Sequence, residues 1–222
     1  MSRTVFLRHN RVSLALHELR AQPGPALLLL HGLGERSPER LPAELGAWPG
    51  PVFALDFTGH GESTIPAGGG YTAEVLMADA DAALAQLGAV TVLGRGLGAY
   101  VGLMLAGGRP KAVRGAILCD GPGLDGGTPE PAQPSITLPD PSLAASPDPF
   151  ALAELASDVR PPDYAASFAR QASHLSGLAQ PIAVCARARP EWLIAVLAEP
   201  GVIPVDLDNA LSRHARAAVG GQ

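Results

Sequence analysis

The chain has 222 residues, 47% of them hydrophobic, enough to bury one substantial core within a single domain, 1–222. A formal net charge of −5 without any basic run argues against a nucleic-acid or anionic-membrane surface. The opening MSRTVFLRHN has no apolar leader core, the run ALLLL at 26–30 is too short to span a bilayer, and two cysteines make no disulfide framework, which leaves a soluble cytoplasmic globule as the expectation.

Residues 4–9 and 11–19 alternate in the manner of a β-hairpin, with Asn10 at the turn because asparagine tolerates positive φ. Unbroken apolar runs follow at 26–31 (ALLLLH), 52–56 (VFALD), 89–94 (AVTVLG), 113–120 (VRGAILCD), 181–186 (PIAVCA) and 202–207 (VIPVDL). Such runs suit strands buried on both faces of a parallel sheet. Between them, 72–87 has helical spacing (Val75, Leu76, Asp79, Ala83, Leu87), with Thr72 as N-cap and Gly88 as stop. Helices are also predicted over 97–107, over 190–198 with Pro190 in the first turn, and over about 209–219 with Asp208 or Asn209 as cap. Strand–helix alternation after a hairpin predicts a doubly wound, mostly parallel α/β sheet.

One interval, 121–180, breaks the rhythm. Residues 121–150 hold eight of the chain's 22 prolines, together with DGPGLDGG, and read as a loop or stiff cover. Two short helices, 150–158 and 161–178, are expected after it.

Four stretches carry a resemblance in order: LLLLHGLGE (27–35), FALDFTGHGES (53–63), VLGRGLGAYVGLMLA (92–106) and the insertion at 121–180. They resemble, respectively, the HG oxyanion loop, the D-x-x-G-x-G-x-S loop, the G-x-S-x-G nucleophile elbow with its helix, and the lid of the α/β-hydrolase superfamily. The resemblance covers almost the whole chain and implies that fold.

It also implies a nucleophile, an acid and a histidine, acting as a unit. At the elbow centre stands Gly96, which has no side chain; glycine meets the positive-φ geometry there at almost no cost. After the last strand, Asp208 and Asn209 stand near the family's Gly-His, and His214 falls several residues into a helix, where it reads as solvated. Glu191, near the family's acid position, reads as a first-turn carboxylate facing the helix dipole, and Asp120 is a second acid site seen in some relatives. Cys185 reads as a packed strand thiol, whereas Cys119, next to a strand end, could face the pocket. Ser63 and Thr64 read as turn caps, Asp56 as scaffolding, and His31 as a polar group at the mouth of the site.

Two readings of that mouth stand side by side. In one, Arg95 pairs with Asp120 across neighbouring strands. In the other, His31, Gly32, Leu33, Arg95, Gly96, Leu97 and Asp120 bind a small anionic or carbonyl-bearing molecule, the amides of Leu33 and Leu97 forming an anion-friendly nest and Arg187 and Arg189 flanking it. Three functions follow as expectations. The first is a catalytically silent binding or scaffold protein without cofactor or metal, similar in logic to the N-myc downstream-regulated family, whose elbow also has glycine before Gly-Ala-Tyr. The second is a non-standard hydrolase or lyase using His31, Asp120 or Cys119, and the third is a structural or oligomeric role for the proline-rich cover. Gly96→Ser is expected to cost about 1 kcal/mol through elbow strain.

Overall fold

The structure, a computed structural model, describes residues 3–124, 146–156 and 160–220. Most of the proline-rich cover (125–145) and residues 157–158 of one expected helix lie outside the described residues.

The hairpin forms where alternation placed it. β1 (Arg3–His9) pairs antiparallel with β2 (Val12–Arg20), from Arg3 opposite Glu18 to His9 opposite Val12, and Asn10 turns at φ 55°. The six apolar runs become β3 (Ala26–Leu30), β4 (Val52–Leu55), β5 (Val90–Arg95), β6 (Val113–Cys119), β7 (Ile182–Val184) and β8 (Val202–Pro204). They make one sheet in the order β1-β2-β4-β3-β5-β6-β7-β8, parallel from β4 onward, with β2 joined antiparallel to β4. Period-two geometry explains why these strands read as continuous apolar runs: Leu28, Leu30, Val92 and Leu118 pack on one face, Leu27, Leu29, Leu93 and Ile117 on the other.

The first face carries most of the helices. α1 (Ala73–Leu87) begins at Thr72, whose Oγ1 accepts from the Val75 amide, and stops at Gly88 with φ 77°. Its buried stripe runs through Ala73, Leu76, Asp79, Ala80, Ala83 and Leu84; Val75, expected inside, is exposed because it lies outside that stripe. α2 (Leu97–Gly108) is apolar all round and sits in the middle of the layer. α3 (Pro149–Glu154) is a short helix capped by the Asp148 side chain. α4 (Pro162–Leu175) lays Ala165, Ala166, Ala169 and Ala172 into the core and packs on α2 so closely that a Cβ at Gly107 would stand 2.7 Å from Phe168 Cα. The second half of the interval 121–180 is thus part of the helical layer. α5 (Glu191–Leu197) follows Pro190 and packs on α4.

The second face is covered more thinly. Between β3 and β4 the chain makes only a single 3₁₀ turn (Ala43–Leu45), with α6 (Leu207–Gly220) on the other side. α6 starts two residues earlier than expected, and its cap is neither Asp208 nor Asn209 but Asp206, whose Oδ1 accepts from the Asn209 amide at 2.8 Å. β8 ends at Pro204, so only Val205 and Asp206 remain to turn the chain. That short connection carries no histidine.

Candidate functional site

The elbow is built by close backbone approach. β5 delivers the chain to Gly96, which turns at φ 50°, ψ −113° and opens α2. A Cβ at Gly98 would stand 2.5 Å from the His31 carbonyl oxygen, so only glycine lets α2 start tight against the end of β3. At Gly96 the obstruction is different. A Cβ there would overlap the carbonyl groups of Pro122 and Gly121.

Residues 121–124 lie across the elbow as a strap. The Pro122 carbonyl oxygen accepts from the amides of both Leu33 (2.9 Å) and Leu97 (3.0 Å), the two donors expected to form the anion nest. Their convergence on one oxygen is the geometry an oxyanion would require, and here a peptide carbonyl fills it. Beyond Pro122 the strap is fixed by Leu124, whose amide donates to Leu155 O at 3.3 Å and whose carbonyl accepts from the Trp192 indole at 3.2 Å. The Leu124 side chain is buried, which holds its backbone at the unusual φ of 50°. The strap fits because its neighbours are small: a Cβ on Gly121 would stand 2.6 Å from Gly96 N, and one on Gly32 2.6 Å from Pro122 Cδ. A cavity of about 10 Å³ touches Gly96, room for one water at most.

Around this strap the structure brings together Gly32, Leu33, Gly96 and Leu97. The other expected residues make their bonds to other groups, although Asp120 lines the same small cavity as Gly96. His31 is buried, with Nδ1–H donating to Gly32 O (2.7 Å) and Nε2 accepting from the Phe57 amide (3.1 Å), so both nitrogens are used. Burial, helped by neighbouring His60, pulls its pKa down to about 4. Asp120 is exposed and turns toward the β7 end, where its carboxylate accepts from the amides of Arg187 (2.8 and 2.9 Å) and Ala188 (2.9 Å). It therefore shapes a turn and does not meet Arg95. Glu191 is an exposed first residue of α5.

His214, expected in solvent, is buried instead. Its ring lies over Gly115 near the start of β6, where a Cβ would come within 2.6 Å of Cε1; this is the opposite end of the sheet from the elbow. Burial, then the Arg213 charge, lowers its pKa to about 4. Cys119 and Cys185 follow register-paired Leu118 and Val184 and stand side by side as free thiols. The hydrogen bond from Cys119 to Cys185 and burial push the Cys119 pKa upward, away from thiolate chemistry.

Arg95 finds a partner that sequence spacing did not indicate. Its guanidinium grips Glu35 in a fork, Nε to Oε2 at 3.2 Å and Nη2 to Oε1 at 2.9 Å, while Glu35 Oε2 also accepts from the Gly32 amide at 2.9 Å. With Arg95 half exposed, Arg95→Ala is expected to lower stability in urea by less than about 1 kcal/mol. A loss well above that would mean the pair, not the strap, holds this end of the molecule.

The 53–63 loop is scaffold, as expected of Asp56. Its carboxylate accepts from the amides of Ser37 (2.7 Å) and Glu62 (2.8 Å) and pairs with His17 Nε2 (3.1 Å). Burial alone would raise its pKa, but the His17, Glu62 and Ser37 bonds together hold it well below the usual range. Ser63 Oγ donates to Asp56 O (2.6 Å) and accepts from Ala15 N (2.9 Å), and Thr64 Oγ1 accepts from Ser13 N (3.0 Å), tying β2 to the loop. Among the described residues no cluster of three or more His, Cys, Asp or Glu is placed to hold a metal, and no helix is long and apolar enough to cross a membrane.

The model of the "Alpha/beta hydrolase family" matches residues 27–221. No curated protein matches significantly in sequence. Among solved structures, the thioesterase domain of the curacin biosynthetic pathway superposes with TM-score 0.68 at 15% identity, over 99% of this chain and 97% of that one. An N-formylmaleamic acid deformylase from Pseudomonas putida gives 0.64 at 16% identity, over 98% and 100%. A haloalkane dehalogenase from Agrobacterium tumefaciens gives 0.64 at 18%, over 96% and 97%. Two further matches, from Pseudomonas aeruginosa and Nostoc, pair 54% of this chain with only 40% and 43% of theirs. At these identities the likeness is one of fold.

Proposed function

The chain belongs to the alpha/beta hydrolase family, and from that premise we propose that it is a non-catalytic member, a cytoplasmic binding or scaffold protein in which the ancestral crevice is closed by the chain itself. The observation that carries this reading is the Pro122 carbonyl seated on the Leu33 and Leu97 amides above a side-chain-free Gly96.

Serine-hydrolase chemistry needs three things at this spot: an attacking atom, a base to deprotonate it, and two free donors for the oxyanion. Gly96 supplies no atom. The turn from β8 into α6 supplies no imidazole, and His214 sits at the wrong end of β6. Both donors are already bonded. His31, which could activate water in a non-standard enzyme, has both ring nitrogens bonded to the backbone, and the Asp120 carboxylate accepts from the Arg187 and Ala188 amides. A small anionic or carbonyl-bearing ligand would have to displace Pro122, and its apparent affinity would fall by the fraction of molecules with the strap open.

A fluorophosphonate probe tests the reading directly. We expect no labelling of the full chain and no turnover of ester or thioester panels. A covalent adduct mapped to Ser63, Cys119 or any other residue near the elbow would overturn it.

A further inference from the structure

The fold brings both cysteines of the chain to adjacent positions in the sheet. Leu118 of β6 and Val184 of β7 are register partners, and the residues that follow them are Cys119 and Cys185. The alignment continues past the end of β7, where the Cys185 amide donates to the Leu118 carbonyl at 2.8 Å. Side chains two positions apart along a strand share a face, so both thiols lie on the side of Ile117 and Ala183, and both pack against the cluster there. Neighbouring strands are about 4.8 Å apart, within the Cα separation of roughly 4.4–6.8 Å that a disulfide accepts. Both cysteines are free and partly exposed, so a small reagent can reach them.

The surroundings decide what such a pair can do. No third His, Cys, Asp or Glu among the described residues joins the two thiols in a metal-holding group, so their available partner is each other. The Cys119 S–H donates to the Cys185 sulfur, which raises the pKa of Cys119 and lowers that of Cys185. Partial burial and the charges of Asp206 and Asp120 oppose the second shift without reversing it, which leaves Cys185 as the thiolate side of the pair. We propose that Cys119 and Cys185 form a redox modification site, at which a hydroperoxide oxidises Cys185 and Cys119 resolves the product into an intrachain disulfide. In the first step the Cys185 sulfur attacks the terminal peroxide oxygen; an S–O bond forms, the O–O bond breaks, and the departing oxygen takes a proton from water. In the second, the Cys119 sulfur gives up its proton and attacks the Cys185 sulfur; the S–S bond forms as the S–O bond breaks, and water leaves. Two electrons pass from the thiols to the peroxide. Only Asp120 and Gly121 separate Cys119 from Pro122. The site nonetheless uses neither the strap carbonyl nor the elbow amides, and it stands independently of whether the elbow is silent.

The experiment treats the reduced full chain with a small excess of hydrogen peroxide and follows intact mass, free thiols and capture by dimedone. We expect the wild-type chain to lose both thiols together with two hydrogen atoms of mass, to remain a single chain on a non-reducing gel, and to recover fully with dithiothreitol. Cys119→Ser should stop at a dimedone-trapped Cys185 sulfenic acid, formed within about threefold of the wild-type rate because the serine hydroxyl can still donate to Cys185. Cys185→Ser should slow peroxide consumption about tenfold or more, since it removes the thiolate side. Circular dichroism checks that both variants fold; should either fail, peptide mapping of the oxidised wild-type chain still reports the Cys119–Cys185 link. Thiols that survive peroxide in the folded wild-type chain, a disulfide formed only between two chains, or Cys119 oxidised in Cys185→Ser as fast as Cys185 in Cys119→Ser would each overturn the proposal.

Discussion

Gly96→Ser is expected to lose about 3 kcal/mol or more of stability, and to gain no esterase turnover. Elbow strain alone is worth about 1 kcal/mol or a little above for a non-glycine residue at φ 50°. The structure adds a larger cost. A Cβ at this position overlaps the Pro122 and Gly121 carbonyl groups, so the strap must lift, breaking the bonds from Leu33 and Leu97 and disturbing the Leu124 anchor against Trp192 and Leu155. Gly96→Ala should cost the same within about 0.5 kcal/mol, since the clash belongs to the Cβ and not to the hydroxyl. Urea denaturation of the two variants measures this. A loss near 1 kcal/mol in both would show that the strap yields readily and that the crevice opens in solution; turnover by the serine variant would show that a base had been overlooked.

Acid should unfold the protein through its buried histidines. His31 and His214 have pKa values lowered to about 4 from an ordinary 6.5, and that of His60 is lowered too, first by burial. A group whose folded pKa lies below its unfolded value binds more protons when unfolded, so its contribution is complete above pH 6.5 and is lost as pH falls toward 4. For His31 and His214 this amounts to about 2 kcal/mol each between pH 7 and pH 5, about 4 kcal/mol together. His17 acts in the other direction: its bond to Asp56 raises its pKa, so its contribution is complete below 6.5 and is lost as pH rises through the raised value. Asp56, with a lowered pKa, holds its contribution down to the lower edge of this window. His214→Leu keeps the apolar packing over Gly115 and should remove about half the loss between pH 7 and pH 5. An unchanged pH slope in that variant would mean that His214 is protonated in the folded chain.

The architecture was largely written in the order of residues. Six apolar runs, a hairpin with Asn10 at its corner and helices bounded by Thr72 and Gly88 need only local periodicity and turn chemistry, and each is where the pattern puts it. That a residue without a side chain, Gly96, stands where β5 turns into α2 was equally legible, because the strand, the turn and the helix start are contiguous in the chain. Contacts between distant segments were not. The pairing of Arg95 with Glu35, the burial of His214 against Gly115 and the seat of Pro122 on two amides join residues 25 to 99 positions apart, and no spacing rule relates them. One local signal did mark the strap: Gly121-Pro122-Gly123 directly after a buried strand offers two residues without Cβ around a carbonyl, the composition that close backbone approach requires.

The sequence by itself determined that this is a doubly wound α/β chain with glycine, Gly96, at the turn from β5 into α2, since both facts depend on neighbours along the backbone. Only the tertiary structure decided what occupies the space left behind. Three-dimensional closure places the carbonyl of Pro122 where the amide of Leu33, in the loop after β3, and that of Leu97, at the start of α2, converge, and hydrogen-bond donors held at one point are satisfied by whichever acceptor the fold brings within reach.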